Sequence, residues 1–171
     1  MANQMSDNSS GTISDFEIVL WVFDDKLGGT PIFSNKDVEG LSNDVLFPKI
    51  AAKIYSFMAM VTSDLVKNDW SIISVPENRR ALCYGFYVDS ETESGWLVLS
   101  VTVPARYSRW LLTYSPDMIP QCNNFFNELV KAGGDWNKEL EETALFILND
   151  FKEYCKGIDN LGVMDFEEIS L

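Results

Sequence analysis

The chain has 171 residues, of which 46% are hydrophobic and 13% aromatic, enough apolar side chain for one domain to fold around its own core without a disulfide or metal. It carries 26 acidic and 13 basic residues, a formal net charge of −13. A field of this sign repels nucleic acid and anionic lipid, so the composition argues against phosphate-binding functions.

The location of the protein is indicated by two absences in the sequence. There is no leader-like apolar run at the N-terminus and no stretch of about 18 apolar residues that could span a bilayer. Cys83, Cys122 and Cys155 are far apart and lack CxxC spacing, which is typical of small core residues in a reducing compartment. We expect a cytoplasmic protein with no integral membrane segment, associated with membranes only peripherally through a partner.

The first elements are a polar tail and a hairpin. Residues 1–14 are rich in Ser, Asn and Gly, which predicts a disordered N-terminal tail. The run FEIVLWVF, residues 16–23, predicts a strand covered on both faces. Asp24 to Gly29 form the turn, and TPIFSN forms a second, antiparallel strand. Pro31 favours an edge position for this strand, because proline cannot donate to a neighbouring strand.

A helix is predicted next, capped by Ser42, Asn43 or Asp44 and running to about Val66, with Pro48 tolerated in its first turn. Its wide apolar stripe predicts heavy packing on the sheet. The stripe consists of Leu46, Ile50, Ile54, Phe57, Met58, Val61 and Leu65.

Three more strands are predicted at residues 70–75, 81–88 and 96–103. The connections PENRR and SETESG are short, and short turns require an antiparallel meander. In the last strand Leu97, Leu99, Val101 and Val103 occupy one face, and Trp96, Val98, Ser100 and Thr102 occupy the other.

The conformation of residues 104–120 stays open, because 104–114 could extend the last strand or begin an irregular helix. Ser115-Pro116-Asp117 predicts a helix start, which Pro120 could delay, and Gly133-Gly134 predicts its end. A final helix from Trp136 to about Lys156 has the cleanest 3.6-residue pattern. Residues 157–171 are predicted to be a loose acidic tail.

The element order is therefore β-β-α-β-β-β-α-α. Strands that are apolar on both faces need a helical layer on each side. The predicted fold class is α/β (α+β), because helices are combined with an antiparallel sheet. The predicted architecture is a three-layer α/β/α sandwich around a five-stranded antiparallel sheet, formed by one domain over residues 15–156.

This order, together with the phrase FEIVLWVFDDKLGGTPIFS, resembles the longin domains of the longin/roadblock superfamily. The resemblance covers residues 15–156. It implies a non-enzymatic protein-interaction domain that scaffolds or regulates small GTPases in vesicle trafficking. The implied partner is a small GTPase or another longin or roadblock domain, in a homo- or heterodimer. No catalytic residue of the family can be carried over.

Catalytic, metal and cofactor sites find little support in the sequence. The chain has no histidine, which excludes triads built on histidine and removes the commonest zinc ligand. Asp24 and Asp25 suit a turn better than a cation site, and Gly28-Gly29 lacks the flanking pattern of a phosphate-binding loop. Cys83 has no basic neighbour in sequence to activate its thiol. We therefore predict no catalytic residue, no metal and no cofactor.

Arginine and aromatic residues provide the candidate contact surface, because such pairs are enriched at the centres of protein interfaces. The two arginine pairs could instead bind surface carboxylates of this chain or reach a nucleotide held by a partner. The predicted partner-binding residues are Trp70, Arg79, Arg80, Arg106, Tyr107, Arg109 and Trp110.

Three other functions remain as alternatives. Sheet-and-helix folds of this kind can hold a pocket, which would make the chain a small-ligand sensor. An enzyme could work with only Asp, Glu, Lys or Cys. The acidic surface could also act as a decoy for a nucleic-acid-binding protein.

Overall fold

Five strands form one antiparallel sheet in the computed structural model, which describes residues 11–24, 28–36, 47–61, 68–89 and 94–161. The strand order is β2-β1-β5-β4-β3, which confirms the predicted sheet. The strands are β1 Glu17–Asp24, β2 Gly28–Ser34, β3 Asn68–Val75, β4 Arg79–Asp89 and β5 Ser94–Pro104.

The first hairpin places β2 at one edge of the sheet. Trp21 pairs with Pro31, next to an irregularity in the register between Leu20 and Trp21. Proline has no N–H to donate to a neighbouring strand, and an edge strand has no neighbour on its outer side, so Pro31 is compatible with this position. Residues 25–27 of the predicted turn lie outside the described residues.

Three helices cover the sheet: α1 Phe47–Val61, α2 Ser108–Lys131 and α3 Lys138–Asn160. Short 3-10 turns occupy Ile13–Asp15 and Ala105–Tyr107. The predicted capping residues 42–44 and the predicted helical residues 62–66 lie outside the part of the chain that the structure describes, as do residues 1–10 and 162–171. No helix in the described ranges is long and apolar enough to cross a bilayer.

The core has two halves, one on each face of the sheet. Alternate residues of β1 point in opposite directions: Ile18 and Leu20 pack under α2 and α3, and Val19 and Trp21 pack under α1. Strand β5 divides in the same way, with Leu99 among the residues under the α2–α3 pair and Val98 among those under α1. The three-layer α/β/α arrangement predicted from two-sided apolar strands is thus confirmed.

The segment 104–120 differs from the sequence expectation. Strand β5 ends at Pro104, the 3-10 turn follows, and α2 begins at Ser108, seven residues before the helix start predicted at Ser115. Pro116 and Pro120 lie inside the helix rather than ahead of it. The prediction of a helix start at Ser115-Pro116-Asp117 was wrong, because the Ser115 hydroxyl donates to the Leu112 carbonyl at 2.8 Å and replaces the amide that Pro116 lacks.

The connection between α2 and α3 follows the predicted glycine pattern. Gly133 and Gly134 have φ values of 72° and 81°, a left-handed conformation that glycine adopts without strain. The side chain of Asn137 then caps α3 by accepting a hydrogen bond from the Leu140 amide at 3.0 Å. Helix α3 starts two residues after Trp136 and continues to Asn160, four residues beyond its predicted end.

Candidate functional site

All four arginines of the chain lie at one end of the sheet. The register pairs Arg79 with Pro104 and Arg80 with Val103, and the Ala105 amide donates to the Asn78 carbonyl at 2.9 Å. These contacts place the β3–β4 turn directly beside the 3-10 turn that carries Arg106 and leads into α2. We call this surface, formed by Arg79, Arg80, Arg106 and Arg109, the arginine end.

The Arg106 side chain is held in place by the residue that follows it. Its guanidinium lies 4.5 Å from the centre of the Tyr107 ring and donates a hydrogen bond to the Tyr107 hydroxyl. Tyr107 is only 2% exposed and packs edge to face on Phe16 with ring centres 4.8 Å apart. Tyr107 therefore anchors Arg106 from within the core, and Arg106 is the exposed member of the pair.

Arg109 is arranged in a similar way on the first turn of α2. It is exposed, and its guanidinium lies 5.6 Å from the Trp110 ring centre. Trp110 is half-buried and packs against the core under α2 and α3. A cation held over an aromatic face loses less conformational freedom on binding a partner than a free arginine does.

Arg79 and Arg80 are half-buried at the start of β4. The Arg80 Nη1 donates to the Arg79 carbonyl at 3.1 Å. The Nε of Arg79 is buried and has no hydrogen-bond partner among the described residues. The preceding turn is tight, with Glu77 and Asn78 at φ values of 62° and 53°, which brings both arginines to the end of the strand.

Three members of the arginine end, Arg79, Arg80 and Arg106, form no ion pair with a carboxylate in the described ranges, whereas several lysines there do form ion pairs. One of these, Lys36 with the largely buried Glu17 at 3.3 Å, lies at the same end of the sheet. The guanidinium groups of Arg79, Arg80 and Arg106 are therefore brought together on a protein whose net charge is −13.

Two exposed apolar side chains near the arginine end were not among the residues predicted from the sequence. Leu112 is 60% exposed one turn after Arg109. The rings of Tyr114 and Tyr154 are 4.6 Å apart, so the end of α3 lies beside the start of α2, and Leu161, just beyond α3, is 83% exposed there. Leu112 could have been found by placing the helix start at Ser108, because the helical period then points it outward. Exposed apolar residues beside arginines are typical of a binding surface rather than a purely solvated one.

Trp70 is not brought to the arginine end. It lies on the outer strand β3, 40% exposed, opposite Tyr84 on the face covered by α2 and α3. Val75, which pairs with Arg79, is the β3 residue at the arginine end. At roughly 3.3 Å per residue, Trp70 lies about 16 Å away along the sheet edge. The sequence-predicted set therefore forms one cluster of six residues and one separate tryptophan.

The cysteines are packed in the core. Burial raises the pKa of Cys83, Cys122 and Cys155 to about 12 in each case, with a contribution from the charge of Asp159 at Cys155. A thiol with such a pKa is almost fully protonated at neutral pH and is a poor nucleophile.

No group of three or more Cys, Asp or Glu side chains in the described part of the chain could hold a metal ion. Asp25, one of the two aspartates weighed as a cation site, lies outside that part.

Comparisons with known proteins place the fold. No family model and no curated protein match the chain. Among solved structures, the longin domain of Lst4 from K. lactis aligns with 83% of this chain and 97% of that domain, with a TM-score of 0.54 and 16% sequence identity. The chain therefore has a longin-like fold, and the resemblance noted in its first hairpin is confirmed at the level of the fold.

Proposed function

We propose that the chain is a non-enzymatic protein-interaction domain of the longin type that scaffolds or regulates small GTPases in membrane trafficking. It works in the cytoplasm and reaches membranes through its partner. It acts as a homodimer or pairs with another longin or roadblock domain. The longin-like fold and the alignment with the Lst4 longin domain support this class of function.

The observation that carries the proposal is the arginine end. It combines exposed arginines held on aromatic rings with the exposed Leu112. Arginine with neighbouring apolar surface is the composition of energetically important interface residues. The net charge of the protein is −13 and all four of its arginines lie at this end, so the arginine end is where we expect an acidic patch of a partner to bind. Trp70, on the sheet edge, is proposed as a separate contact.

The experiment measures binding of a panel of small GTPases to the purified chain, together with their nucleotide exchange and hydrolysis rates. The variant Arg106→Glu/Arg109→Glu is expected to weaken binding by about tenfold or more, since reversing charges that meet an acidic partner costs both contacts. Binding by no member of the panel, with no change in any rate, would contradict the proposed function.

A matched control is available at the other end of the molecule. Lys131 ends α2 and Lys138 begins α3, so both lie about 34 Å from the start of α2. Lys131→Glu/Lys138→Glu makes the same change in net charge and breaks only exposed ion pairs with Glu128 and Glu142, which are worth little. This variant is expected to bind the partner nearly as the wild type does. An equal loss in both variants would show that net charge, not the arginine end, governs binding.

A further inference from the structure

The two edges of the sheet differ in how they are protected from pairing with another strand. Edge strand β2 contains Pro31, and its register with β1 is irregular between Leu20 and Trp21. Both features obstruct the addition of a further strand. Edge strand β3 pairs with β4 over all eight of its residues without an irregularity. Within the described residues no strand lies on the outer side of β3, so this edge presents an uninterrupted row of backbone groups.

The composition of β3 gives its edge little protection. Residues 70–75 read WSIISV, a run with no charge, no proline and no glycine, which is typical of segments that pair with copies of themselves. Trp70 is exposed, and Ile73 and Val75 lie in the core under α1. These core positions cannot carry the charged side chains that usually protect an edge. Asp69 is the only charged residue in the sequence of β3.

The Asp69 carboxylate occupies one of the backbone donors of this edge. The amide of Trp70 donates to Asp69 Oδ1 at 2.7 Å, at an exposed position, so this amide faces the outer side of β3. Because successive amides of a strand point to opposite sides, the amides of Ile72 and Ser74 face outward as well. A hydrogen bond to a carboxylate is stronger than one to a neutral carbonyl. A strand that is added to β3 therefore has to displace a strong acceptor from Trp70.

Pairing between two copies of β3 would need the same amide. Antiparallel strands place residues of the same face opposite each other, and a twofold axis relates the two copies. With Ser71 on the axis, Trp70 lies opposite Ile72 of the second copy, an aromatic–aliphatic pair that stabilises a sheet. The Trp70 amide would then donate to that Ile72 carbonyl instead of to Asp69. By symmetry the conflict occurs twice, once in each copy.

We propose that the hydrogen bond from the Trp70 amide to Asp69 protects the β3 edge from pairing with a second copy of this chain. The carboxylate holds an outward amide that an added strand needs. If the strands paired, the carboxylate would lose this donor and part of its contact with water, which is costly for a charged group. The sheet is thus protected by proline and an irregular register at β2 and by a carboxylate at β3.

This role of Asp69 does not rest on the proposed function. Trp70 is proposed there as a partner contact through its side chain, whereas the protection of the edge concerns its backbone amide. A dimer of the wild type through any other surface is compatible with this role. The tests use the full-length chain without a partner, so their failure leaves the GTPase experiment unaffected.

Sedimentation equilibrium of the full-length chain measures self-association. Asp69→Ala frees the Trp70 amide and is expected to raise the association constant by about tenfold or more, because a charged acceptor no longer competes in either copy. Asp69→Asn keeps an oxygen acceptor at the same position and should associate less than Asp69→Ala. Asp117→Ala, at an exposed position of α2, changes the net charge as Asp69→Ala does and should behave as the wild type.

Amide hydrogen exchange followed by NMR locates the interface. In the wild type the Trp70 amide should exchange more slowly than the outward amides of Ile72 and Ser74. In Asp69→Ala the amides of Ile72 and Ser74 should become protected as the protein concentration rises. Adding Ser74→Lys to Asp69→Ala places a charged side chain on the edge, which should abolish both the protection and the association.

Four results would overturn the proposal. The first is association of Asp69→Ala no stronger than that of the wild type. The second is equal association of Asp69→Ala and either Asp69→Asn or Asp117→Ala, which would assign the effect to charge rather than to the hydrogen bond. The third is association that survives Ser74→Lys or leaves the Ile72 and Ser74 amides unprotected, which would place the contact on another surface. The fourth is a wild-type Trp70 amide that exchanges as fast as those two, a measurement that requires no substitution and so decides even where amide spectra show that Asp69→Ala is unfolded.

Discussion

Pro116 is accommodated inside α2 with the help of the Ser115 hydroxyl. In a regular helix the Leu112 carbonyl would accept from the amide of residue 116, but Pro116 has no amide hydrogen. The hydroxyl of Ser115 donates to that carbonyl instead, at 2.8 Å, and Ser115 is only 2% exposed. Pro116 and Pro120 themselves are exposed, so water can reach the Pro116 carbonyl, which Pro120 leaves without a partner.

Removing this hydroxyl should therefore destabilise the domain. We expect Ser115→Ala to lower the free energy of unfolding by about 1 kcal/mol, because a part-buried helical carbonyl is left without its hydrogen-bond partner. Thr113→Ala is the matched control, because its hydroxyl also donates to a helical carbonyl, that of Arg109 at 2.9 Å, but at an exposed position. That change should cost about 0.5 kcal/mol or less. Urea denaturation of both variants measures the difference, and equal effects would remove the assigned role of Ser115.

A half-buried polar contact between α2 and α3 should make stability depend on alkaline pH. Burial, and then the hydrogen bond to Asp150, raise the pKa of Tyr114 to about 12, against about 10 in an unfolded chain. The folded state thus favours the protonated phenol. This contribution is complete below about pH 10 and is lost as the pH rises through about 12.

Tyr114→Phe removes both the hydrogen bond to Asp150 and the titrating group. The stability difference between wild type and variant should be constant below about pH 9 and should shrink as the pH approaches 12. Urea midpoints across this range measure it, and absorbance of ionised tyrosine in the two proteins identifies the missing titration. A difference that does not change with pH would mean that Tyr114 has an ordinary pKa.

At the scale of whole elements, the strands and α3 could be predicted because each repeats a simple pattern. The run from Phe16 to Phe23 and the alternation from Trp96 to Val103 mark strands buried on both faces. The α3 stripe marks a helix packed along one side. The spacing of apolar residues indicates which side chains are buried, and in these elements the buried side chains follow the period of the strand or helix.

The beginning of α2 and the arginine end were harder to predict, for different reasons. Two prolines mimic a helix start, and helix propensity does not reveal the Ser115 hydroxyl that replaces the hydrogen bond lost at the first of them, Pro116. The arginine end depends on strand register: Arg79 meets Pro104 only after β4 and β5 pair. Extending the predicted hairpin pairing by two residues would have placed Arg80 near Arg106, so this part of the site was within reach of the sequence.

Substitutions of two glycines, Gly29 and Gly157, should change the stability of the domain in opposite directions. A Cβ built on Gly29 would lie 2.6 Å from Phe23 and 3.1 Å from Ala51 of α1. Glycine in β2 therefore allows the Phe23 ring and α1 to approach the first hairpin. A Cβ on Gly157, inside α3, would meet nothing within 4 Å.

Gly29→Ala is expected to lower the free energy of unfolding by about 1–3 kcal/mol through overpacking. Gly157→Ala should raise it by about 0.5–1 kcal/mol, because alanine favours the helix and restricts the unfolded chain. Denaturation midpoints of both variants provide the measurement. A destabilising Gly157→Ala would indicate that the end of α3 contacts further residues, and a neutral Gly29→Ala would indicate that α1 can shift without cost.

At the scale of the whole molecule, the arginines and several exposed glutamates lie at opposite ends of the helical pair. The arginine end lies at the start of α2, while Glu139, Glu141 and Glu142 are exposed on the first turns of α3, at the far end. Carboxylates there interact favourably with the N-terminus of α3. The total charge of −13 still opposes compact folding through self-repulsion, which acts over longer distances and is screened by salt.

Arg106 and Arg109 contribute to stability in two ways: their positive charges reduce the self-repulsion of an acidic protein, and their side chains stack on Tyr107 and Trp110. Replacing both with Glu changes the net charge by −4 and also removes the stacking on Tyr107 and Trp110, whereas replacing both with Gln removes the same stacking and changes the net charge by −2. The Glu variant should be the less stable of the two at low salt, by on the order of 1 kcal/mol. The gap should close by about 0.5 M NaCl, where charges more than a few ångströms apart no longer interact. Urea midpoints of both variants across a salt series measure the gap. A gap that persists at high salt would place a carboxylate in direct contact with these arginines, so the exposed positive charge assigned to the arginine end would have to be abandoned.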